Sequence, residues 1–356
     1  MAGVAVECYG QVMKDIAVIG AGYWGQNLVR NVSDLGRLAV VCDVSERTRD
    51  RIAMAFPSVR VTDDLDTILS DSRIRGVMIA VPSRVHAQVA HRCLSAGKHV
   101  YVEKPITLDV AEAEELCNLA EEAGLKLMVG HLLLFHPCVR WIKKSIEDGV
   151  LGDVLYLNSV RVNLGKIRPD ENAMWSLAPH DISVAMFLLN SEPISVAAQG
   201  LCYIQKEDSI HDVVFMTLRF RDGTAAQMHV SWLDPHKARQ LTVVGRDKML
   251  TFDDTVASEK IRIFDKGVAV REGLNAPTYD SYGEFLSLRQ GDILIPHIPM
   301  REPLRELCAH FIACVDTDVH PMTDGRSGVA VLRVLEAAQR SLESGGQPIT
   351  LDWGSG

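Results

Sequence analysis

The sequence predicts an α/β protein: an N-terminal doubly wound parallel sheet, followed by a C-terminal α+β domain with a large, mostly antiparallel open sheet. Over the first ~130 residues, short apolar runs alternate with helical patterns, which is typical of βαβ units. A Gly-x-Gly-x-x-Gly loop, Gly20 to Gly25, directly follows the first apolar run. After about residue 150, the strand-like runs become longer and are separated by turn residues, which indicates antiparallel strands.

The first half contains five predicted strands and four predicted helices. The strands are short, mostly apolar runs at residues 16–19, 38–42, 76–81, 99–102 and 125–129. The helices lie between them, at residues 23–35, 46–55, 84–96 and 109–123. Gly97 and Gly124 stand directly after two of these helices, where glycine commonly ends a helix. A doubly wound sheet of this kind has its ligand crevice at the carboxyl ends of the strands.

The second half changes to longer strands. They are predicted at residues 154–162, 196–203, 213–220, 225–232, 240–244 and 260–264. The segment Arg221–Thr224 contains Asp-Gly and predicts a hairpin between two of these strands. One helix, His180–Leu189, interrupts the strands, and two more helices are predicted at residues 303–317 and 323–343.

These patterns divide the chain into four parts. We expect a poorly ordered leader at residues 1–13 and a dinucleotide-binding domain at residues 14–135. The α+β domain, which would bind the substrate, follows at residues 136–322. The C-terminal helix and tail, residues 323–356, are expected to pack back toward the first domain.

Composition and charge exclude several classes of protein. The chain has 356 residues, of which 47% are hydrophobic, so it is long enough for a large core. With 37 Lys and Arg against 46 Asp and Glu, its formal charge of −9 argues against non-specific nucleic-acid binding. No apolar stretch approaches the roughly 18–20 residues that cross a bilayer, so no membrane association is expected. The eight cysteines form no Cys-x-x-Cys pair, which favours reduced thiols in the cytoplasm and predicts no metal site.

The glycine loop has the spacing of a dinucleotide-binding turn. Gly20 permits a tight turn, Gly22 allows the backbone to approach a pyrophosphate, and Gly25 lets the helix pack closely on the strand. The N-terminus of the following helix offers N–H donors to phosphate oxygens, and we count Tyr23 and Trp24 in the loop among the cofactor-binding residues. The alternative is a glycine-rich turn that binds nothing.

An acidic residue lies where the ribose of such a cofactor would be recognised. Asp43 ends the second predicted strand, 18 residues after Gly25, and can accept hydrogen bonds from both hydroxyls of an adenosine ribose. Its charge repels a 2′-phosphate, so NAD is favoured over NADP as the cofactor. Arg47 and Arg49 keep NADP open, and a helix-capping role is the alternative for Asp43.

A lysine follows the fourth predicted strand in the sequence Glu103-Lys104-Pro105. This strand end is expected on the nicotinamide side of the crevice, where a lysine can reach a substrate hydroxyl. Pro105 rigidifies the turn. Partial burial and a cationic nicotinamide would both favour the neutral amine that a proton acceptor needs. The alternative is a solvent-facing lysine paired with Glu103.

Three motifs together resemble the glucose–fructose oxidoreductase/inositol dehydrogenase/MocA family. They are the glycine loop, Ala80-Val81-Pro82 with His86 four residues later, and Glu103-Lys104-Pro105. The resemblance implies a Rossmann domain, an open-sheet domain used in oligomerisation, and hydride transfer between a nicotinamide and a sugar or polyol carbon. It also implies that Lys104 is catalytic, that Val81, Pro82 and His86 line the nicotinamide side, and that Glu103 approaches the nicotinamide ribose.

Many members of that family have an Asp-x-x-x-His pair that acts with the lysine. Here the histidine is His180, and Ser176 stands where the aspartate is expected. The resemblance therefore implies a catalytic His180, while the role of the aspartate is vacant or reassigned. The neighbouring Asp181 is expected to point elsewhere on the helix. The alternative is that His180 is an ordinary residue of the helix N-terminus.

Three parts of the chain, residues 131–137, 163–183 and 231–237, resemble the nucleotide-sugar branch of the family, which includes UDP-N-acetylglucosamine 3-dehydrogenases. A diphosphate substrate needs cations and donors, and amide side chains can read sugar hydroxyls or an acetamido group. The candidate substrate-binding residues are Arg161, Asn163, Lys166, Arg168, Asn172, Trp175, His180 and Lys237. A merely solvated loop is the alternative. His131 and His136 are expected to be structural.

The expected reaction is NAD-dependent oxidation of the 3-hydroxyl of a UDP-N-acetylhexosamine, either UDP-N-acetylglucosamine or its uronic acid. A downstream aminotransferase would act on the 3-keto product, and the resemblance implies a homodimer or homotetramer. Three alternatives remain open: a ketoreductase of a deoxy keto-sugar nucleotide, a polyol or inositol dehydrogenase, and a non-catalytic NAD-binding sensor.

Overall fold

The computed structural model describes residues 13–165, 167–169, 171–206, 210–270 and 286–354. The chain forms two compact units. The first comprises residues 1–130 and 304–329, and the second comprises residues 131–303 and 330–356, within the described parts of those ranges. The chain thus passes from the first unit to the second and back before it returns to the second.

The first unit contains a six-stranded sheet whose strands all run parallel. Its strands are β1 (Ile16–Ile19), β2 (Leu38–Cys42), β3 (Arg60–Thr62), β4 (Gly76–Ile79), β5 (His99–Val102) and β6 (Leu127–Val129). Their order in the sheet is β3-β2-β1-β4-β5-β6, so the direction of winding reverses between β1 and β4. The predicted doubly wound parallel sheet is confirmed, and its ligand crevice is expected at that reversal.

The helices of the first unit lie close to the predicted ranges. They are α1 (Gly25–Asp34), α2 (Glu46–Ala55), α3 (Asp66–Leu69), α4 (His86–Ser95) and α5 (Val110–Glu122). A 3-10 turn at Ser83–Val85 precedes α4. Gly97 and Gly124 adopt φ values of +73° and +64°, which confirms them as the glycines that end α4 and α5.

The second unit contains a nine-stranded mixed sheet, in which only β7 and β10 pair in parallel among the described strands. Its strands are β7 (Val154–Val162), β8 (Pro193–Leu201), β9 (Val213–Phe220), β10 (Ala225–Ser231), β11 (Ala238–Gly245), β12 (Met249–Asp253), β13 (Ile261–Val270), β14 (Leu286–Leu294) and β15 (Ile349–Thr350). The predicted hairpin joins β9 to β10, with Gly223 at a φ of +90°. The mostly antiparallel sheet is thereby confirmed.

Two helices precede and follow β7, and α7 differs from its prediction. They are α6 (Pro137–Glu147) and α7 (Ala173–Leu189). The helix α7 begins seven residues before the predicted start at His180, because Asn172 caps it by accepting a hydrogen bond from the Trp175 N–H. Pro179, which directly precedes the predicted start, lies inside the helix.

The C-terminal helices do not follow the expected division of the chain. They are α8 (Pro303–Thr317) and α9 (Gly325–Glu343). Residues 304–322 were expected in the second domain but belong to the first unit, where Phe311 is fully buried and its ring centroid lies 6.1 Å from that of Tyr101 on β5. Residues 330–356 belong to the second unit, where Ser341 of α9 donates to the Gln347 carbonyl and accepts from the Ala198 N–H of β8.

None of the helices that the structure describes is both long and apolar enough to cross a bilayer.

Candidate active site

The glycine loop connects β1 to α1 and leaves no room for side chains at two of its three glycines. A Cβ on Gly20, whose φ is +84°, would lie 2.6 Å from the Ala80 carbonyl oxygen. A Cβ on Gly25 would lie 2.0 Å from the Gly20 carbonyl oxygen. A Cβ on Gly22 would have no described protein atom within 4 Å. Only the middle glycine therefore faces open space, as a turn that receives a pyrophosphate requires.

Two alanine substitutions separate folding from cofactor binding at this loop. We expect Gly25→Ala to lower the free energy of unfolding by about 1–3 kcal/mol, since the added methyl group overpacks the helix against the loop. The matched substitution Gly22→Ala is expected to leave the free energy of unfolding within about 0.5 kcal/mol of wild type. It should nevertheless raise the Kd for NAD about tenfold, equivalent to about 1.4 kcal/mol.

Urea titration and calorimetry with NAD measure the two effects. If Gly22→Ala bound NAD as tightly as wild type, the open space at this glycine would not be where the pyrophosphate lies. If Gly25→Ala unfolded at the wild-type urea concentration, the close contact with Gly20 would be relieved without cost.

Asp43 holds the glycine loop to the end of β2. Its Oδ2 accepts a hydrogen bond from the Ala21 N–H at 2.7 Å, and its Oδ1 accepts from the Ser45 N–H at 2.9 Å. A carboxylate has about four lone-pair sites, so two remain for ribose hydroxyls. Arg49, one of the two arginines that left NADP open, donates to the Asp43 carbonyl and pairs with Asp63 at 3.3 Å.

Glu103 lies next to the loop and binds Trp24, a predicted cofactor residue, and Tyr101. Its Oε1 accepts hydrogen bonds from the Trp24 indole N–H at 2.5 Å and from the Tyr101 hydroxyl at 2.6 Å. Burial raises the pKa of Glu103, and these two hydrogen bonds partly oppose the shift. Burial and the neighbouring Glu103 raise the pKa of Tyr101 well above its usual value. Tyr23, by contrast, is 91% exposed.

Sequence analysis did not single out Tyr101. Its signal was its position two residues before Glu103, because alternate residues of a strand share a face. Gly130 packs closely against these side chains, since a Cβ there would lie 2.6 Å from the Tyr101 hydroxyl oxygen.

The residues predicted to line the nicotinamide side divide by exposure. Pro82 is exposed and Val81 is half-buried at the end of β4. His86 is only 1% exposed, and both of its ring nitrogens face backbone carbonyl oxygens. Its ring is therefore inaccessible to a ligand, which departs from the expected role of His86 as a lining residue. Lys104 is half-buried and lies two residues after the end of β5.

In the second unit, α7 carries His180, Ser176 four residues before it and Asp181 directly after it. His180 is half-buried, whereas Ser176, which stands at the position of the family aspartate, is buried. Asp181 points to β7: its Oδ1 accepts from the Ser159 hydroxyl at 2.5 Å, and its Oδ2 accepts from Arg161 Nε at 2.7 Å. As expected, Asp181 faces away from His180, because consecutive helical side chains differ by about 100°.

Arg161 was predicted to bind substrate, but its guanidinium is engaged by Asp181. A second hydrogen bond, from Nη2 to Asp181 Oδ1 at 3.1 Å, makes the pair bidentate. Both side chains are largely buried, with 13% and 5% of the Arg161 and Asp181 side chains exposed. The arrangement is that of an internal ion pair that fixes α7 on the sheet.

Asn172 and Trp175, both predicted to bind substrate, anchor the start of α7. Asn172 caps the helix, and its Nδ2 donates to Gln339 Oε1 at 3.0 Å. The Trp175 indole N–H donates to the same oxygen at 3.2 Å. Sequence analysis missed Gln339 on α9, since nothing in the local sequence links it to a helix more than 150 residues earlier.

The other predicted substrate residues differ in their surroundings. Arg168 pairs with Glu171 at 2.5 Å. The Asn163 side chain lies against Gly165, where a Cβ would come within 2.9 Å of the amide oxygen. Lys237 is exposed, and Lys166 lies outside the described residues.

Among the residues that the structure describes, no group of three or more His, Cys, Asp or Glu side chains could hold a metal ion. The seven described cysteines are free thiols, and Cys8 lies outside the described residues.

Both halves of the chain match sequence profiles of one group of enzymes. Residues 14–131 match the profile described as an oxidoreductase family with an NAD-binding Rossmann fold. Residues 139–251 match the C-terminal domain of the GFO/IDH/MocA proteins. The fold, the glycine loop and the Asp43 carboxylate agree with the first of these matches.

Two characterised enzymes match the chain over nearly its whole length. UDP-N-acetylglucosamine 3-dehydrogenase of Acidithiobacillus ferrooxidans is 28% identical over 327 residues, which cover 90% of this chain and 94% of the relative. Inositol 2-dehydrogenase of Rhizobium meliloti is 27% identical over 335 residues, which cover 91% and 96% of the two chains.

A solved structure with bound cofactor shows the same fold. GenD2 from gentamicin A biosynthesis, in complex with NAD, superposes with a TM-score of 0.78 at 23% identity. The superposition covers 98% of this chain and 100% of that one. Together with the profile matches, these observations show that the chain belongs to the glucose–fructose oxidoreductase/inositol dehydrogenase/MocA family of oxidoreductases and carries its NAD-binding Rossmann domain.

Proposed function

We propose that this protein oxidises the 3-hydroxyl of a UDP-N-acetylhexosamine, UDP-N-acetylglucosamine or its uronic acid, with NAD as the oxidant. The observation that carries the proposal is the 28% identity to UDP-N-acetylglucosamine 3-dehydrogenase, spread over 90% of this chain and 94% of that enzyme. The 3-keto product would be the substrate of an aminotransferase that makes a 3-amino sugar nucleotide.

The first unit fits NAD by its own geometry. The open space at Gly22, just before the N-terminus of α1, receives the pyrophosphate, and the free lone pairs of Asp43 accept the adenosine ribose hydroxyls. Bound NAD supplies the acceptor for the hydride that leaves the substrate carbon. Glu103 and Trp24, joined by their hydrogen bond, fix the wall of the crevice beside the loop.

The proton of the substrate hydroxyl is taken by Lys104 Nζ, assisted by His180. A lysine accepts a proton only as the neutral amine, and Lys104 lies half-buried two residues after β5. His180 is held by α7, whose start is anchored by Asn172 and whose middle is fixed through Asp181. Ser176 is buried and does not supply the carboxylate that many relatives use.

Recognition of the diphosphate rests on fewer cations than the sequence suggested. The charges of Arg161 and Arg168 are each paired with a carboxylate, Asp181 and Glu171. Among the described candidates, exposed Lys237 remains for a phosphate oxygen. Asn163 is the described amide most available to a sugar hydroxyl, since the Asn172 side chain is committed to Trp175 and Gln339.

The proposal is tested by following NADH formation with a panel of substrates. The panel contains UDP-N-acetylglucosamine, its uronic acid, UDP-glucose and myo-inositol, each with NAD or NADP, and an aminotransferase with an amino donor to remove the product. We expect NADH only with the N-acetylated UDP-sugars.

Lys237→Ala should raise the KM for the UDP-sugar about tenfold, which is about 1.4 kcal/mol for a charge-assisted contact.

Other outcomes identify the competing functions. Turnover of myo-inositol alone would overturn the proposal in favour of a polyol dehydrogenase, as the inositol 2-dehydrogenase relative suggests. A preference for NADPH with keto-sugar nucleotides would indicate a ketoreductase. Tight NAD binding without turnover of any substrate would indicate a sensor.

A further inference from the structure

The buried imidazole of His86 connects two loops at the carboxyl edge of the sheet. Its Nδ1 lies 2.8 Å from the Pro105 carbonyl oxygen, and its Nε2 lies 2.9 Å from the Val81 carbonyl oxygen. Val81 follows β4, and Pro105 follows the lysine that comes after β5. The ring therefore joins the ends of two neighbouring strands, immediately beside Lys104.

The two contacts are not equivalent, because they differ in access to water. The contact with Pro105 is buried, and Pro105 itself is buried. The contact with Val81 is only partly buried. A buried carbonyl without a donor costs about 1–3 kcal/mol, whereas an accessible one can accept from water. The Pro105 carbonyl therefore depends on the imidazole more than the Val81 carbonyl does.

The charge state of the ring follows from the same surroundings. Both carbonyls accept, so a ring with hydrogens on both nitrogens would satisfy both of them. Burial lowers the pKa of His86, however, and the charge of Lys104 lowers it further against the effect of the two hydrogen bonds. A neutral ring has one hydrogen, and the buried Pro105 carbonyl places it on Nδ1.

We propose that His86 is a positioning residue that fixes the Lys104–Pro105 turn through its Nδ1–H bond to the Pro105 carbonyl. Its ring is 1% exposed and both nitrogens are engaged, so it acts on the reaction through the turn and not by touching the cofactor. This inference rests on the proposed role of Lys104 as proton acceptor.

Two amide substitutions test which nitrogen matters. In His86→Asn the amide nitrogen can take the place of Nδ1, whereas in His86→Gln it can take the place of Nε2. We expect kcat to stay within about threefold of wild type in the Asn variant and to fall about tenfold to a hundredfold in the Gln variant, because a displaced catalytic group loses its alignment. The Kd for NAD should be the same in both.

A second measurement does not depend on turnover. The rate at which acetic anhydride modifies Lys104, relative to exposed Lys144, reports how firmly the turn is held. Peptide mass spectrometry should show this ratio raised at least about threefold in His86→Gln and unchanged in His86→Asn, since released backbone becomes more accessible. In the wild-type protein, nitrogen NMR of the His86 ring should show the hydrogen on Nδ1.

These measurements test the positioning role of His86 separately from the proposed function. Equal kcat and equal Lys104 labelling in the Asn and Gln variants, or a wild-type ring without a hydrogen on Nδ1, would overturn the positioning role. A loss of kcat that parallels a loss of NAD affinity would do the same and make His86 part of the cofactor site. If the wild-type protein oxidised no sugar nucleotide, the proposed function would fail, while the labelling and NMR results would still decide the role of His86.

Discussion

Replacing Lys104 by methionine should lower kcat by about 10²–10⁴-fold, the usual contribution of a general base. Methionine has a similar length but cannot accept a proton, so the substrate hydroxyl would have to lose its proton to water. The binding of NAD should be nearly unchanged, because the glycine loop and Asp43 hold the dinucleotide. Stopped-flow measurement of NADH formation and calorimetry with NAD give the two quantities.

Lys104→Arg distinguishes proton transfer from simple positive charge. Arginine keeps the charge and offers more hydrogen-bond donors, but it stays protonated in proteins and cannot accept the hydroxyl proton. We therefore expect Lys104→Arg to be as inactive as Lys104→Met. Turnover in the arginine variant near the wild-type rate would mean that Lys104 only orients the substrate.

A matched control comes from another lysine of the first unit. Lys14 lies before β1, and its one contact with a described side chain is a long hydrogen bond, 3.4 Å, to exposed Ser58. Lys14→Met should leave kcat and the free energy of unfolding unchanged. A comparable loss of activity in both methionine variants would show that the effect of Lys104→Met comes from altered charge or stability.

Most strands of the parallel sheet and the cofactor loop could be predicted because their signals are local. Each strand of the parallel sheet except β3 is a mostly buried run that stands between helical patterns. The spacing of Gly20, Gly22 and Gly25 is enough by itself to predict the geometry of the loop. The strand β3 (Arg60–Thr62) escaped prediction because it has three residues, none of them fully buried. Its short length leaves neither an apolar run nor an alternating pattern to detect.

What sequence analysis could not predict depends on contacts between distant parts of the chain. The helix α8 was assigned to the wrong domain, although its core residue Phe311 packs beside Tyr101 and its Asp316 pairs with Arg37 at 2.6 Å. Arg161 was read as a substrate ligand because a cation before His180 suits a diphosphate. The sequence does not reveal that the Arg161 guanidinium is paired with Asp181, since the pairing depends on the rotation of α7 against β7.

The second large expected effect is a loss of stability when the ion pair between Arg161 and Asp181 is broken. We expect Asp181→Ala to lower the free energy of unfolding by about 3–5 kcal/mol, because it leaves the guanidinium buried without its partner. The Ser159 hydroxyl also loses its acceptor, which lies 2.5 Å away. Urea titration measures the loss, and Asp148→Ala serves as the control.

The control removes a carboxylate from a similar pair in solvent. Asp148 accepts from Lys144 at 2.9 Å, but 51% and 73% of their side chains are exposed. Its loss should change the free energy of unfolding by no more than about 0.5–1 kcal/mol. If Asp181→Ala were equally mild, water would have to reach Arg161 when its partner is removed.

The double variant Arg161→Met/Asp181→Leu decides between the two roles of Arg161. Replacing both members of a buried pair by apolar residues of similar size is often neutral or stabilising, so most of the lost stability should return. If Arg161 only holds α7, the KM for the UDP-sugar should return with it, because His180 regains its position. If Arg161 also binds the diphosphate, as the sequence suggested, stability would recover while the KM stayed high. We expect recovery of both, since the bidentate bond to Asp181 uses Nε and Nη2 and buries all but 13% of the arginine side chain.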